Sequence, residues 1–275
     1  MRPTEDTVAL VTGATDGLGR SVATELARAG ASVIVHGRDR ERGEATLAAI
    51  RAETGSDRLE LELADFASLA EVQRLADAVE GSHDELHLLI NNAGIGGGLP
   101  AGRERQQSTD GHELRFAVNY LAGFVLTERL LGLLRRSAPA RVVNVASLGQ
   151  MPIDFADPML RRGYDGTRAY CQSKLAQIMH ANDIADRIPA SEVTANSLHP
   201  ATYMPTKIVL EEIGRSSDPI ELGTRAVIRL ATDPALDGVS GRFFDRLEES
   251  AAESQAYDPE ARSRLRELSL ELAGD

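Results

Sequence analysis

Thr7-Val-Ala-Leu-Val-Thr-Gly-Ala-Thr-Asp-Gly-Leu-Gly19 runs from a short apolar strand into a glycine-rich turn. A helical pattern follows the turn, with apolar residues on one face and Gly30 as its stop. Strand, turn and helix N-terminus form an anion cradle, because free N–H groups and the positive helix end favour a phosphate. The segment therefore predicts a dinucleotide-binding turn at the start of an α/β sheet. Its spacing, Gly-x-x-x-Gly-x-Gly, differs from the common Gly-x-Gly-x-x-Gly fingerprint.

Strands and helices alternate along the rest of the chain. The predicted strands are residues 7–12, 32–36, 58–63, 86–90, 141–146, 193–198 and 239–244. Helical patterns separate them, including residues 67–79, 112–136, 167–188, 219–232 and a last helix at 259–272. Such alternation predicts an α/β fold with one doubly wound parallel sheet of the Rossmann type and helices on both faces. We expect a single domain over residues 1–275, with substrate loops at about 148–166 and 200–218 and a C-terminal tail at 245–275.

The composition describes an acidic chain of 275 residues with a net charge of −12 and a pI near 5.0. An acidic surface argues against binding a nucleic-acid backbone or an anionic membrane. The single Cys171 excludes an internal disulfide, and the histidines offer no convincing metal site. The polar start of the chain and the lack of a long apolar run predict a cytoplasmic protein with no membrane partner.

The end of the second predicted strand bears on the choice of cofactor. An acid at this place would accept hydrogen bonds from both ribose hydroxyls of NAD. The chain has Gly37 and Arg38 instead, and a guanidinium binds a 2′-phosphate bidentately. This predicts NADP(H) as the preferred cofactor, with NAD(H) possible because Asp16 adds an opposing charge nearby. An exposed loop charge is the alternative interpretation of Arg38.

The next two strand ends supply further candidate cofactor contacts. Asp65 follows the third strand, where it could accept from an adenine amino group or cap the next helix. The fourth strand ends in Asn91-Asn92-Ala93-Gly94. Small residues and side-chain amides at that place suit a backbone pressed against a cofactor.

Polar groups in the second half of the chain suggest proton chemistry. Tyr170 and Lys174 lie four apart in a helical pattern, so both side chains leave the same helix face. A phenol donates protons poorly at neutral pH, and an ammonium one turn away favours the phenolate. Asn119 interrupts a buried apolar helix, either as a hydrogen-bond hub or as part of a proton path. Ser147 ends the fifth strand, at the edge where open α/β sheets bind ligands.

These motifs together resemble the short-chain dehydrogenase/reductase family. Thr12-Gly13-x-x-x-Gly17-x-Gly19 is similar to its cofactor turn, and Asn91-Asn92-Ala93-Gly94 to the motif after its fourth strand. Four residues resemble its catalytic tetrad in order and context: Asn119, Ser147, Tyr170 and Lys174. The resemblance covers the chain from Thr7 to about Phe244.

Two stretches are similar to the retinol-dehydrogenase-like branch of that family. They are Ala-Tyr-Cys-Gln-Ser-Lys-Leu-Ala at 169–176 and Asn-Ser-Leu-His-Pro at 196–200. One departure from the family is Pro200-Ala201, where Pro-Gly is usual. The change should stiffen the start of the loop that closes on the cofactor, but it removes no group needed for hydride transfer.

The resemblance implies a role for each member of the tetrad. Tyr170 would protonate a carbonyl oxygen as the carbon receives a hydride, and Lys174 would lower the Tyr170 pKa and hold the nicotinamide ribose. Ser147 would donate to the substrate oxygen, and Asn119 would hold a water that relays protons. The cofactor contacts predicted from the motifs and the resemblance are Thr12, Gly13, Thr15, Asp16, Gly17, Leu18, Gly19, Arg38, Asp65, Asn92, Ala93, Gly94, Tyr170, Lys174, Pro200 and Thr202.

The predicted function is NADPH-dependent reduction of a ketone or aldehyde, or oxidation of the alcohol in reverse. The small-molecule substrate would be medium-sized and largely apolar. Its predicted pocket is lined by Phe155, Met159, Tyr203, Met204, Ile208 and Val209. A catalytically silent NADP-binding regulator is the alternative, although it would be expected to lack Tyr170 or Lys174. A sugar-nucleotide epimerase would need a larger C-terminal domain than the residues after Phe244 provide. A homodimer or homotetramer is expected because oligomers built on the long helices are common in the family.

Overall fold

The computed structural model of the chain, which describes residues 4–98 and 104–274, is built on one eight-stranded sheet. Its strands are β1 Val8–Val11, β2 Ser32–Gly37, β3 Leu59–Leu63, β4 Leu88–Asn91, β5 Ala140–Val145, β6 Val193–His199, β7 Phe243–Asp245 and β8 Glu248–Ser250. They lie in the order β3-β2-β1-β4-β5-β6-β7-β8. All neighbouring strands are parallel except β7 and β8, which form an antiparallel pair.

Helices cover both faces of this sheet. They are α1 Gly17–Arg28, α2 Arg40–Thr54, α3 Leu69–Ser82, α4 Ala122–Arg136, α5 Gly166–Arg187, α6 Lys207–Glu212, α7 Ile220–Thr232 and α8 Pro259–Ala273. One apolar cluster packs α3, α4, α5 and α8 on one face, and a second packs α1 and α7 on the other. The predicted doubly wound α/β fold is therefore confirmed.

The structure differs from the sequence-based expectation at one strand and at one helix cap. The edge strand β8 was not predicted, because its exposed Glu-Glu-Ser sequence has no apolar alternation. Asp65 does not cap α3, since the helix begins at Leu69 and Ser68 occupies the N-cap position. The Asp65 carboxylate instead accepts from the Ala67 N–H at 2.9 Å, which makes a local turn.

The predicted helix at 112–136 is not uniform. Its residues Phe116–Leu121 are π-helical; two α-helical residues, 114 and 115, precede them, and α4 begins at Ala122. Asn119 lies inside this π-helical turn, and such turns occur frequently at functional sites. The wider turn is a backbone feature that apolar periodicity does not reveal.

The C-terminal helix α8 packs across α5 and the π-helical turn. The hydroxyls of Tyr120 and Ser269 are hydrogen-bonded at 2.7 Å in the core, and Arg262 pairs with Asp186 at 2.6 Å. Part of the long-helix surface is thus covered by the chain's own tail. The expected homo-oligomer stays a prediction.

Candidate active site

The four residues of the predicted tetrad come together beyond the carboxyl end of β5. Ser147 lies two residues after that strand, and Tyr170 and Lys174 lie on α5. The Lys174 Nζ atom is 5.7 Å from the centroid of the Tyr170 ring. Ser147 and Tyr170 both border Gly149, where a Cβ would lie 3.5 Å from Ser147 Oγ and 3.7 Å from Tyr170 Cε1. Asn119 lies close by, since a Cβ at Gly94 would be 3.2 Å from its Oδ1 and 3.6 Å from Lys174 Nζ.

Lys174 is a buried amine held by two acceptors. Its Nζ donates to the Val145 carbonyl and to Gln177 Oε1, both at 2.9 Å. Burial lowers the pKa of Lys174 to about 7. An ammonium has three N–H donors, so one remains to bind a ribose hydroxyl or water in the site.

Tyr170 differs in one respect from the sequence-based expectation. Burial raises its pKa above the usual value, while the neighbouring Ser147 hydroxyl acts in the opposite direction. The family resemblance predicts instead that the Lys174 charge lowers this pKa. The difference has a physical cause, because Lys174 is itself desolvated and titrates near neutrality.

Asn119 acts as a hydrogen-bond hub. Its Oδ1 accepts from the Ile95 N–H at 2.7 Å, and its Nδ2 donates to the Ile95 carbonyl at 3.1 Å. The same Nδ2 donates to Ser173 Oγ at 3.0 Å, and Ser173 donates onward to the Tyr170 carbonyl at 2.7 Å. The amide therefore joins the segment after β4 to the helix that carries Tyr170 and Lys174.

The glycine turn after β1 is cross-linked to the segment after β4. Thr12 Oγ1 accepts from the Asn92 and Ala93 N–H groups at 2.9 and 3.0 Å, and Asn92 Nδ2 donates to the Thr12 carbonyl at 2.8 Å. Gly13 and Gly17 have φ values of 63° and 50°, in the region that favours glycine. These predicted cofactor residues form one rigid turn at the N-terminus of α1.

Close packing leaves no room for side chains around this turn. A Cβ at Gly13 would lie 2.8 Å from Ala93 Cα, and one at Gly19 would collide with the Gly13 carbonyl and Asn92 Nδ2. The turn is therefore built from bare backbone that a pyrophosphate can approach. Leu18, also predicted here, is buried and packs into the apolar cluster on this face.

The arrangement at the end of β2 suits a phosphate. A Cβ at Gly37 would collide with the Thr15 side chain, so an acid cannot replace this glycine without a rearrangement. Arg38 is exposed beside it. Asp16, whose charge opposed the NADP interpretation, caps Gly17 N at 2.7 Å and pairs with Arg42 at 3.0 Å. The sequence does not reveal the role of Arg42, because its ion pair with Asp16 joins α2 to the glycine turn.

His36 is a second residue that sequence reasoning missed. Its Nδ1 accepts from the Gly13 N–H at 3.1 Å, its Nε2 contacts the Ala64 carbonyl at 3.0 Å, and its ring stacks on Phe66 at 4.5 Å. The sequence did contain an indication of this role, because a polar side chain in a buried apolar strand needs hydrogen-bond partners.

The loop after β6 is tied down at its base. The Thr202 N–H donates to Asp218 at 2.8 Å, and the Thr202 hydroxyl contacts His199 at 3.0 Å and Arg246 at 3.3 Å. The Thr202 hydroxyl, in a residue predicted to contact the cofactor, is thus bonded to two side chains of the protein. Thr206, which was not predicted, lies over the glycine turn, where its Cγ2 would be 3.3 Å from a Cβ at Gly17. Pro200 and Ala201 lie at the start of this loop.

The predicted apolar pocket is only partly formed by the residues named for it. Phe155 faces α8, where the Arg264 guanidinium lies 4.8 Å from its ring centroid. Met159 is buried in the core, and Met204 packs in the cluster that contains Leu18. The loops after β5 and β6 instead present exposed apolar side chains: Leu148, Met151, Tyr203, Leu210 and Ile213.

Across residues 4–98 and 104–274, no group of three His, Cys, Asp or Glu side chains is placed to hold a metal ion. His87 is buried, and its Nδ1 accepts from the Val8 N–H at 3.1 Å. His83 lies 3.2 Å from Glu60.

The sheet topology and the grouping of Ser147, Tyr170 and Lys174 define an oxidoreductase with a nicotinamide cofactor. The family model described as short chain dehydrogenase matches residues 7–213. The chain belongs to the short-chain dehydrogenase family.

Similar proteins over nearly the whole chain agree with this family. Retinol dehydrogenase 13 of Mus musculus is 35% identical over 288 residues, covering 96% of this chain and 83% of that protein. Polyprenol dehydrogenase of Mus musculus is 37% identical over 290 residues, covering 99% and 85%. A short-chain dehydrogenase of Escherichia coli CFT073 solved with NADPH has a TM-score of 0.70 at 28% identity, covering 88% and 96%. The resemblance to the retinol-dehydrogenase-like branch is confirmed.

The prediction of a purely cytoplasmic protein is wrong. The relatives are named for retinol and polyprenol, alcohols whose isoprenoid chains partition into membranes. Within the described residues, one helix, Phe116–Arg136, is long and apolar enough to cross a membrane, with a mean hydropathy of 1.3. The fold buries 78% of its most apolar window, so the helix is also a core element. The prediction depended on the polar start of the chain and the lack of a long apolar run, and the helix Phe116–Arg136 meets the length and hydropathy that such a run requires.

Proposed function

We propose that this protein is an NADP(H)-dependent dehydrogenase/reductase that interconverts an apolar alcohol and its aldehyde or ketone. One observation carries the proposal. The half-buried phenol of Tyr170 lies next to the Ser147 hydroxyl and on the same helix face as the buried amine of Lys174, beside the rigid glycine turn.

The preference for NADP(H) is supported by the charges at the end of β2. Arg38 is exposed there, and no acid can replace Gly37 without displacing Thr15. Arg42 engages the Asp16 carboxylate, which weakens its repulsion of a 2′-phosphate. Arg38 would then bind that phosphate, a contact that a cofactor with a free 2′-hydroxyl cannot make.

The chemistry is divided between cofactor and protein. A bound nicotinamide would supply or accept the hydride. Tyr170 would donate a proton to the developing alkoxide in reduction and accept it in oxidation. Ser147 would hold the substrate oxygen by a hydrogen bond, so that it lies next to the phenol.

Two residues would support this proton transfer. Lys174 has one N–H donor beyond its bonds to Val145 and Gln177, and it would bind the ribose and assist Tyr170 electrostatically. Asn119 is hydrogen-bonded to Ser173 on α5 and to Ile95 after β4, and a relay water would lie between these two segments. Hydrogen bonds within the fold position both side chains.

The substrate class follows from the relatives and the rim of the site. Their names indicate isoprenoid alcohols, and exposed Leu148, Met151, Tyr203, Leu210 and Ile213 lie on the two loops that flank the site. These side chains would shield an apolar chain from water. We propose a retinol-like primary alcohol or its aldehyde as substrate. Association as a homodimer or homotetramer is part of the proposal, and it would use surfaces that α8 leaves uncovered.

The test is cofactor turnover with a panel of aldehydes, ketones, quinones and steroids that includes retinal. The wild-type protein should oxidise NADPH with at least one aldehyde. Tyr170→Phe should lower turnover by at least about a hundredfold, because positioned proton transfer contributes about that much or more. NADPH binding should be unchanged in that variant. Near-full turnover of Tyr170→Phe would refute the mechanism.

A further inference from the structure

The carboxylate of Glu212 lies on two consecutive backbone N–H groups far away in the sequence. Its Oε2 accepts from the Gly97 N–H at 3.1 Å, and its Oε1 accepts from the Gly98 N–H at 2.7 Å. Glu212 is the last residue of α6, in the loop that follows β6. A Cβ at Gly96 would collide with its carboxylate, so this approach depends on a glycine there.

The peptide unit that carries the Gly97 N–H is held in place by a buried side chain. Arg115, which is 4% exposed, donates from Nε to the Gly96 carbonyl at 3.1 Å. That carbonyl and the Gly97 N–H belong to the same peptide unit, so the arginine both orients and polarises the donor. Arg115 is held in turn by the Tyr164 hydroxyl, which donates to buried Glu113.

This amide pair borders the candidate active site. A Cβ at Gly97 would lie 3.4 Å from the Gly166 carbonyl and 3.5 Å from Thr167 Cα, in the first turn of α5. Tyr170 follows one turn later. The negative charge of Glu212 reaches the phenol, since it adds to the effect of burial in raising the pKa of Tyr170.

The base of the same loop is fixed independently. Asp218 accepts from the Thr202 N–H and pairs with Arg246 at 3.0 Å, and the Ser217 N–H donates to the Tyr203 carbonyl at 2.9 Å. These contacts hold both ends of the loop together, and α6 lies between them in the chain. The contact of Glu212 with the amide pair joins α6 to the opposite wall of the site.

We propose that Glu212 is a specificity-determining residue, which fastens the loop over Tyr170 through the Gly97 and Gly98 amides and disfavours anionic substrates by its charge. The inference rests on the proposed function, because it takes Tyr170 as the group next to the substrate. It predicts a site that prefers an uncharged aldehyde or alcohol to one that bears a carboxylate.

Turnover with two aldehydes of similar shape tests the charge selection. Wild type, Glu212→Gln and Glu211→Gln are compared with NADPH and either benzaldehyde or para-carboxybenzaldehyde. Glu211→Gln is the matched control, because this substitution removes the same charge from the same helix. Glu211 is exposed, and it pairs with Lys207 of its own helix at 3.7 Å. Glu212→Gln should raise kcat/KM for the carboxylated aldehyde relative to benzaldehyde by about tenfold, whereas Glu211→Gln should leave the ratio unchanged. An equal ratio in all three proteins would overturn the proposal.

Hydrogen exchange of the backbone amides tests the contact without any turnover. In Glu212→Ala, exchange at Gly97 and Gly98 should accelerate by about tenfold or more relative to Glu211→Ala, because two protecting hydrogen bonds are lost. Unchanged exchange would overturn the fastening role. Absence of turnover with every carbonyl would refute the proposed function and the selectivity that depends on it, while the exchange result would still decide whether Glu212 holds the loop.

Discussion

The Gly13 N–H donates a hydrogen bond to Nδ1 of His36 at 3.1 Å, which ties the glycine turn to the end of the neighbouring strand. Nε2 of the same ring lies 3.0 Å from the Ala64 carbonyl. One ring nitrogen accepts and the other donates, so the imidazole is neutral with its proton on Nε2. The turn therefore depends on an uncharged histidine, and burial lowers the pKa of His36 to about 4.

We expect this histidine to make the fold sensitive to acid. Its folded-state pKa of about 4 lies below the ordinary value of 6.5, so its contribution to stability is complete above pH 6.5 and is lost as the pH falls towards 4. The loss is up to roughly 3 kcal/mol, because each pKa unit corresponds to about 1.4 kcal/mol. His36→Asn keeps an acceptor but cannot titrate, so the free energy of unfolding should fall less steeply over this range. Urea unfolding at several pH values measures the two slopes, and equal slopes would contradict the prediction.

The second prediction concerns the pH dependence of turnover. Lys174 has a pKa of about 7 in the free protein, so its ammonium is present below pH 7 and is lost above it. Reduction consumes a proton and uses the positive charge beside Tyr170. The kcat/KM for NADPH, which reports groups of the free enzyme, should therefore fall as the pH rises above about 7.

Lys174→Arg provides the comparison for this profile. A guanidinium stays charged throughout the range, so the residual activity of this variant should lack the decline above pH 7. A wild-type profile that stays flat from pH 6 to pH 9 would show that Lys174 does not titrate there, or that its charge is not used.

Arg38 is expected to determine the preference for NADPH over NADH. Arg38→Ala should lower NADPH affinity by about tenfold to a hundredfold, since a charge-assisted hydrogen bond contributes about 1.5–3 kcal/mol. NADH affinity should change little, because NADH has no 2′-phosphate. Arg40→Ala is the matched control, as Arg40 is exposed and pairs with Glu44 at 3.6 Å. If the ratio of NADPH affinity to NADH affinity is the same in Arg38→Ala and Arg40→Ala, Arg38 does not contact the 2′-phosphate and is only an exposed surface charge.

Much of this architecture could be predicted because it depends on local patterns. The apolar strand before Gly13 and the four-residue spacing of Tyr170 and Lys174 are visible in single short stretches. Parallel topology then brings Ser147 to the same edge, since strand ends in such sheets meet on one side.

The parts that could not be predicted are contacts between distant segments. Glu212 and Gly97 are 115 residues apart, and Arg42 and Asp16 are 26 apart on different elements. A glutamate on a short amphipathic helix has the same sequence signature whether it faces water or an amide pair. The π-helical turn at Asn119 could not be predicted either, because the apolar pattern of its residues also suits a regular helix.

The glycine turn allows a steric test with a matched pair of substitutions. Gly19 and Gly81 both lie within helices, but a Cβ at Gly19 would collide with the Gly13 carbonyl and Asn92 Nδ2, whereas one at Gly81 would meet nothing within 4 Å. Gly19→Ala should destabilise the fold by about 1–3 kcal/mol, the usual cost of overpacking. Gly81→Ala should be neutral or stabilising by up to about 1 kcal/mol, because alanine is the better helix former.

Urea unfolding of both variants measures these opposite signs, and NADPH titration adds a functional readout. Because the displaced atoms belong to the turn itself, Gly19→Ala should also weaken NADPH binding by about tenfold or more, the amount expected if one charge-assisted contact to the pyrophosphate is lost. Gly81 lies at the far end of α3 and should leave binding unchanged. Wild-type stability and affinity in Gly19→Ala would mean that the turn tolerates a side chain, and the close backbone approach of a pyrophosphate would then need another explanation.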